Sequence, residues 1–202
     1  LALPLVSCNS SAGQKVTDVY KDKKAGFQLE KPEKGEEIAI MHTSMGDIKI
    51  RLFPEAAPKA VKNFVTHAKN GYYNGVTFHR VIDDFMIQGG DPKGDGSGGE
   101  SIYGKPFEDE FDRKLLNLRG SLSMANTGIY GKPSNGSQFF ICSGLQAKGL
   151  DSYPHYTQFG RVVEGMDVVE ALASVPVGPA FNGEMSRPLE EIRIESVRIS
   201  EL

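Results

Sequence analysis

The hydrophobic residues of this chain recur with a two-residue period, and this constrains the fold more than any other feature. The alternation is clearest over Ile38–Ile40 and Ile48–Leu52, where every second residue is polar, as in strands with one buried face. In the last strand candidate the phase of the alternation shifts, which predicts a β-bulge near Glu195. Further short strand candidates cover residues 76–81, 85–89, 120–125, 138–142, 157–162 and 191–199.

Two segments follow a helical period instead. In Pro54–Asn70 the apolar residues fall on one helical face, and Gly71 stands where a helix is expected to stop. A second helix is predicted over Gly165–Ser174. Because strands and helices do not alternate, the pattern favours an all-β domain with antiparallel pairing. We predict a closed eight-stranded antiparallel barrel capped by two α-helices, whose interior is filled by side chains and whose function lies on the outer face.

The first 35 residues read differently from the rest of the chain. We assign residues 36–202 to the barrel domain and residues 1–35 to a leader remnant followed by a polar arm. Residues 9–35 are rich in Lys, Glu, Asp, Ser and Gly, as in a flexible tether. The arm also contains Val19, Tyr20, Phe27 and Leu29, which would allow part of it to dock on the domain, so both alternatives stay open.

The segment Leu5-Val6-Ser7-Cys8 resembles the lipobox of bacterial lipoproteins. This resemblance predicts a lipid on Cys8 and an extracytoplasmic protein held at the membrane by its acyl chains. The alternative is an incidental cysteine near the chain end of a cytoplasmic protein.

Several classes of site are not expected. A net charge of −3 argues against a nucleic-acid partner, which needs clustered Lys and Arg. Gly94–Gly99 matches G-x-G-x-x-G but lacks the strand-turn-helix context of a dinucleotide site. The calcium-loop pattern starting at Asp91 has Lys93 in a ligand position. The four histidines lack metal-ligand spacing, and Cys142 lies in an apolar strand as an inert thiol. We therefore expect no metal and no cofactor.

Several blocks of the chain resemble the motifs of one family, the cyclophilin peptidyl-prolyl isomerases. They occur in the family's order and together cover about Ile38 to Ile199. The blocks are Phe78–Ile82, Phe85–Asp91, Gly98–Gly104, Phe107–Glu110, Ser123–Asn126, Asn135–Ile141 and Phe159–Val162. The resemblance implies an eight-stranded barrel with two helices and rotation about Xaa-Pro bonds as the activity.

The resemblance also implies site residues. Rotation about a prolyl bond needs a hydrogen-bond donor that localises the nitrogen lone pair, and Arg80 suits this role. It also needs an apolar pocket for the proline ring. The predicted catalytic residues are Arg80 and Gln138, and the predicted substrate-binding residues are Phe85, Met86, Gln88, Ala125, Asn126, Phe140, Leu150 and Tyr156. Without the resemblance, the apolar members would be interpreted as core.

The predicted function is a peptidyl-prolyl cis-trans isomerase that assists the folding of exported proteins. Its expected partners are proline-containing peptides and unfolded or partly folded clients. Cyclosporin binding is expected to be weak, because the family's frequent Trp beside Leu150 has no counterpart in a chain without Trp. The alternative is a weakly catalytic or non-catalytic module at the cell surface that binds proline peptides through the same pocket.

Overall fold

A computed structural model describes residues 26–127, 132–152 and 156–202. Its helices are α1 (Pro58–Lys69) and α2 (Met166–Ala173), and 3₁₀ segments cover Phe27–Leu29 and Leu145–Ser152. The strands are β1 (Glu37–Thr43), β2 (Gly46–Leu52), β3 (Arg80–Ile82), β4 (Met86–Gly89), β5 (Ser121–Met124), β6 (Phe139–Cys142), β7 (Gln158–Glu164), β8 (Val177–Pro179), β9 (Met185–Pro188) and β10 (Ile194–Glu201).

Eight of these strands form one sheet in the order β10-β1-β2-β7-β5-β6-β4-β3. Every neighbouring pair is antiparallel. The inward face buries alternate residues of each strand, including Ile48, Ile50, Ile87 and Ile141, and α1 adds Phe64 to the same core. The mostly β architecture with two helices is thus confirmed, and each predicted strand segment except the one over residues 76–81 coincides with a strand over most of its length.

The structure does not confirm that the barrel is closed. The edge strands β10 and β3 are not paired with each other as strands within the described residues. The chain just before β3 instead contacts the start of β10: Phe78 N–H donates to Ile192 O at 3.0 Å, and Ile194 N–H donates to Val76 O at 2.8 Å. The strand predicted over residues 76–81 therefore divides, since only its end pairs with β4. The domain is a curled sheet, a half-barrel with a short contact between its edges.

The β-bulge predicted from the phase shift is present. His42 of β1 lies opposite Ser196, whereas its neighbour Thr43 lies opposite Ile194, so Glu195 is the extra residue. An inserted residue reverses the face to which the following side chains point. Ile194 and Val197 consequently both contribute to the core.

Helix α1 begins at Pro58, later than the predicted start at Pro54. The intervening residues form a turn in which Ala56 and Ala57 N–H donate to Phe53 O at 3.2 and 3.0 Å. Proline is favoured at the first helical position because its missing N–H would have no intrahelical partner there. Pro58 therefore marks the start of the helix better than Pro54 does.

The hairpin β8–β9 was not among the predicted strands. It forms a separate two-stranded sheet and packs beside β3. Its turn contains Asn182-Gly183, a dipeptide typical of tight hairpins. The flanking segments lack a run of alternating apolar residues, which is why the periodicity did not indicate strands.

The described part of the arm lies against the domain. The Gln28 side chain is 1% exposed. Its Nε2 donates to Leu116 O at 2.9 Å, and its Oε1 accepts from Leu116 N–H at 2.8 Å. The Phe27 ring packs edge-on to Phe53 at 5.2 Å, and Arg51 Nη1 donates to the carbonyl oxygens of Phe27 and Glu30 at 3.3 and 3.1 Å. The predicted lipidation site, Cys8, lies outside the described residues. Within the described ranges, no helix has the length and apolarity to cross a bilayer.

Candidate active site

The site is built from side chains on the outward face of three neighbouring strands. Because side chains alternate across a strand, Val81, Ile87 and Ile141 point into the core while their neighbours point out. The registers place Arg80 of β3 opposite Gln88 of β4, and Gln88 opposite Phe140 of β6. Residues far apart in the sequence therefore form one row across the sheet.

The polar side chains of this row, together with Gln138 just before β6, form a continuous chain of hydrogen bonds. Arg80 Nη1 donates to Gln88 Oε1 at 3.3 Å, and Gln88 Nε2 donates to Gln138 Oε1 at 3.0 Å. Gln138 Nε2 in turn donates to the carbonyl oxygens of Gly96 and Gly98, at 3.0 and 2.7 Å. A guanidinium can only donate and a carbonyl can only accept, so the two ends of the chain fix the orientation of both amides.

The carbonyls that end this chain belong to a loop organised by Asp91, whose side chain is fully buried. Its carboxylate accepts the backbone N–H groups of Lys93, Asp95, Gly96 and Gly98 at 2.9, 3.3, 2.7 and 3.2 Å. The residue that suggested a calcium loop thus satisfies backbone donors. This role was not predicted for Asp91.

An apolar wall lies beside these polar side chains. Met86 and Phe140 are 1% and 5% exposed and form a small cluster with Cys142, separate from the main core. Tyr156 packs edge-on against Phe140, with ring centroids 5.4 Å apart. The partly buried members of the same cluster are Ile82, Phe85, Ala125, Leu150 and Tyr156.

The two sides enclose a depression of about 100 Å³. All the predicted site residues of the domain line it except Gln138, which lines an adjoining depression beside the Gly96–Gly99 loop. The residues around the first depression are Arg80, Phe85, Met86, Gln88, Ala125, Asn126, Phe140, Leu150 and Tyr156.

Ala125 and Asn126 both make hydrogen bonds within the protein. Ala125 N–H donates to Gln138 O at 3.0 Å, so this donor is used within the protein. The Asn126 side chain donates to Asp109 Oδ1 at 3.0 Å, an oxygen that also accepts from Asn135 Nδ2 at 2.9 Å. Asp109 therefore holds the Asn126 side-chain amide, and Asn126 lines both depressions.

The segment that carries Leu150 is held by the turn between β3 and β4. Asp84 in this turn has a φ of 56°, a left-handed conformation that Asp tolerates better than most residues. Its Oδ1 accepts from Leu145 N–H at 2.8 Å and its carbonyl from Gln146 N–H at 3.0 Å. The start of the 3₁₀ segment is thus tied to the strand pair that carries Arg80 and Met86.

Sequence reasoning missed one charged residue of the site, Glu184. Its carboxylate accepts from Arg80 Nε at 2.7 Å and from Nη2 at 2.9 Å. These hydrogen bonds lower the pKa of Glu184 from its usual 4.5 to about 2, although partial burial opposes the shift. The Asn182-Gly183 dipeptide could have indicated the turn, but nothing in the sequence pairs Glu184 with Arg80.

Other candidate groups lie outside this arrangement. Burial lowers the pKa of His79, whose ring packs beside Gly96. Burial also raises the pKa of the Cys142 thiol well above its ordinary value, as expected for an inert core cysteine. Among the described residues, no group of His, Cys, Asp and Glu side chains is arranged to hold a metal ion.

Comparisons with known proteins agree on one family. The family model "Cyclophilin type peptidyl-prolyl cis-trans isomerase/CLD" matches residues 38–199. A protein of Staphylococcus saprophyticus named "Putative peptidyl-prolyl cis-trans isomerase" is 48% identical over 200 residues, covering 86% of this chain and 98% of the relative. A Staphylococcus aureus protein of the same name is 46% identical over 194 residues, or 84% and 94% of the two chains.

Solved structures give the same result. A cyclophilin type peptidyl-prolyl cis-trans isomerase of Cryptosporidium parvum superposes with a TM-score of 0.74 at 38% identity, covering 83% of this chain and 98% of that one. A second crystal structure of that protein, in the presence of the dipeptide Ala-Pro, superposes with a TM-score of 0.73 at 39% identity, covering 82% and 99%.

Proposed function

The chain belongs to the cyclophilin-type peptidyl-prolyl cis-trans isomerases, and we propose that it rotates Xaa-Pro bonds in the depression beside Arg80. One observation carries this assignment of the site. A guanidinium is held at the edge of a small depression, next to its apolar wall, with Nη1 only 3.7 Å from the sulfur of Met86. A permanent cation next to an apolar pocket is the combination that prolyl rotation requires.

The chemistry needs no nucleophile. A peptide bond resists rotation by about 18–20 kcal/mol because the nitrogen lone pair is delocalised into the carbonyl. A donor that hydrogen-bonds the prolyl nitrogen withdraws this lone pair and lowers the barrier. An acceleration of about three decades needs ~4 kcal/mol of transition-state stabilisation, which a charge-assisted hydrogen bond can largely supply.

The other residues then take distinct roles. The proline ring packs on Met86 and Phe140, with Phe85, Leu150 and Tyr156 completing the wall. Gln88 supports Arg80 through its amide oxygen. Gln138 fixes the orientation of the Gln88 amide and borders the path of the extended peptide, together with the main chain at Ala125 and Asn126.

The first experiment compares wild type with Arg80→Ala, by measuring the cis-trans isomerisation of a short Xaa-Pro peptide at matched concentration of folded protein. We expect kcat/KM to fall by about two decades, equivalent to ~3 kcal/mol. Exposed Arg198→Ala, on β10, is the matched control. Equal activity of wild type and Arg80→Ala would remove Arg80 from the mechanism. Peptide binding by a folded but inactive wild type would favour the binding-module alternative.

We further propose that the protein acts outside the cytoplasm on exported clients, attached to the membrane through a lipid on Cys8. The support is the lipobox-like segment Leu5–Cys8 and the polar composition of residues 9–25, which suits a tether. Intact-mass measurement of protein expressed with its native leader tests the attachment, with Cys8→Ser as the control. An acyl adduct only on the chain that has Cys8 is expected. An unmodified Cys8 with the leader retained would contradict the proposal.

A further inference from the structure

Glu184 projects from a turn that is held by several hydrogen bonds. Ala180 N–H donates to Glu184 O at 2.7 Å, and Gly183 N–H donates to Ala180 O at 2.9 Å. The Asn182 side chain accepts from Glu184 N–H at 3.1 Å. Gly183 has a φ of 82°, which glycine adopts without strain. The carboxylate therefore starts from a fixed backbone position.

The two oxygens of Glu184 meet one edge of the Arg80 guanidinium. They accept from Nε and Nη2, whereas Nη1 lies on the opposite side and donates to Gln88. A bidentate pair fixes the plane of a guanidinium as well as its position. Both side chains are about one third exposed, at 33% for Arg80 and 32% for Glu184, so the pair borders the depression instead of lying in the core.

We propose that Glu184 is a positioning residue that directs the Arg80 guanidinium toward the substrate. This inference rests on the proposed function, in which Arg80 is the donor to the prolyl nitrogen. Gln88 accepts only one hydrogen bond from Arg80, at 3.3 Å, and one hydrogen bond leaves the guanidinium able to rotate about that contact. Glu184 supplies the second point of attachment, on the opposite edge.

The contact between Glu184 and Arg80 also orients the side-chain amides of Gln88 and Gln138. Since a guanidinium only donates, its fixed position turns Gln88 Oε1 toward Arg80 and Gln88 Nε2 toward Gln138. Loss of the Glu184 carboxylate should therefore disturb Gln88 as well. A residue that merely stabilised the β8–β9 hairpin would have no such effect.

A carboxylate also offsets part of the positive charge on Arg80. If this second effect dominated, Glu184 would restrain catalysis, and its removal would raise the rate. The sign of the change in kcat therefore separates positioning from restraint.

The test measures kcat and KM separately on an Xaa-Pro peptide for Glu184→Ala and Glu184→Gln. We expect kcat to fall about tenfold in the first and about threefold in the second, which keeps an acceptor, with KM within about twofold of wild type. Glu190→Gln, which removes an exposed carboxylate a few residues further along, should match wild type. Unchanged or increased kcat in the folded Glu184 variants would overturn the inference.

Two further measurements separate this inference from the proposed function. In Arg80→Ala, adding Glu184→Ala should cause no further loss, because Glu184 acts through Arg80. Loss of activity in Arg80→Ala with full activity in Glu184→Gln would overturn positioning alone, whereas full activity in Arg80→Ala would overturn the proposed function. The Arg80 Nε–H resonance, measured by ¹⁵N NMR, should shift in Glu184→Gln and stay unchanged in Glu190→Gln. If Glu184→Ala does not fold, Glu184→Gln decides by these same readouts.

Discussion

The polar and apolar sides of the depression are built in different ways. On the polar side, hydrogen bonds run without a break from Glu184 through Arg80, Gln88 and Gln138 to a loop ordered by Asp91. On the apolar side, Met86 and Phe140 come from strands, but Leu150 comes from a 3₁₀ segment tied to the Asp84 turn. On the polar side, each hydrogen bond fixes the orientation of the side chains that it joins. The apolar side depends on packing, which is not directional.

This difference predicts a division of labour. Directional bonds orient a donor toward a transition state, so changes on the polar side should lower kcat. Apolar packing holds the ring in the ground state and the transition state alike, so changes on the apolar wall should raise KM.

The largest effect is expected at the buried end of the polar chain. Asp91→Ala leaves the N–H groups of Gly96 and Gly98 without their acceptor and should lower the free energy of unfolding by about 3 kcal/mol. The measurement is urea unfolding at neutral pH. Asp95→Ala, an exposed carboxylate in the same loop, is the control and should cost less than about 1 kcal/mol. Equal losses for both variants would show that burial of Asp91 does not matter.

The next prediction contrasts the two sides directly. Gln138→Ala should lower kcat about tenfold with little change in KM, because the Gln88 amide loses the partner that orients it. Phe140→Leu should raise KM about threefold with little change in kcat, because it removes ring contact but keeps the pocket apolar. Steady-state kinetics on one Xaa-Pro peptide measures both. A KM effect for Gln138→Ala and a kcat effect for Phe140→Leu would reverse the assignment.

A smaller effect is expected at the Asp84 turn. Asp84→Ala removes the acceptor of Leu145 N–H and places alanine at a positive φ, so it should cost about 1–2 kcal/mol of stability. Because the 3₁₀ segment carries Leu150, KM should also rise. Asp84→Asn keeps an acceptor oxygen and tolerates the left-handed conformation, and it should retain most of both properties. Similar losses in the two variants would mean that the negative charge, not the turn geometry, is needed.

The smallest effect concerns pH. The folded-state pKa of Glu184, about 2, lies below its ordinary 4.5, so the ion pair with Arg80 stabilises the fold fully above about pH 4.5. This contribution is lost as the pH falls from 4.5 toward 2. The difference in unfolding free energy between wild type and Glu184→Gln should therefore stay constant from pH 8 to 5 and shrink below, as thermal unfolding can show. A difference that is independent of pH down to 2.5 would contradict the pairing.

Much of the fold could be predicted from periodicity, because a strand with one buried face must alternate. The shift at Glu195 even located a bulge. The hairpin β8–β9 was missed because its strands of three and four residues are too short to show alternation, although Asn182-Gly183 marks its turn. Closure of the barrel was also not confirmed, since the edges of the sheet meet through a few hydrogen bonds around Phe78 and Ile192 instead of a ladder.

The site residues were predicted from the family resemblance more than from the strand periodicity. The strand period shows that Arg80 and Phe140 point away from Val81 and Ile141, but it does not show that two strands are neighbours. The hydrogen bond from the Asn126 side chain to Asp109 was equally invisible in the sequence.

The sequence by itself determined which residues face the core in the strands that it predicted, where the helices run and which family the motifs resemble. These properties are local, because burial of one face imposes a period on neighbouring residues. The tertiary structure alone decided that Glu184 meets Arg80, 104 positions away along the chain. An ion pair between separate elements leaves no periodic trace, since its geometry depends on how the β8–β9 hairpin packs against β3.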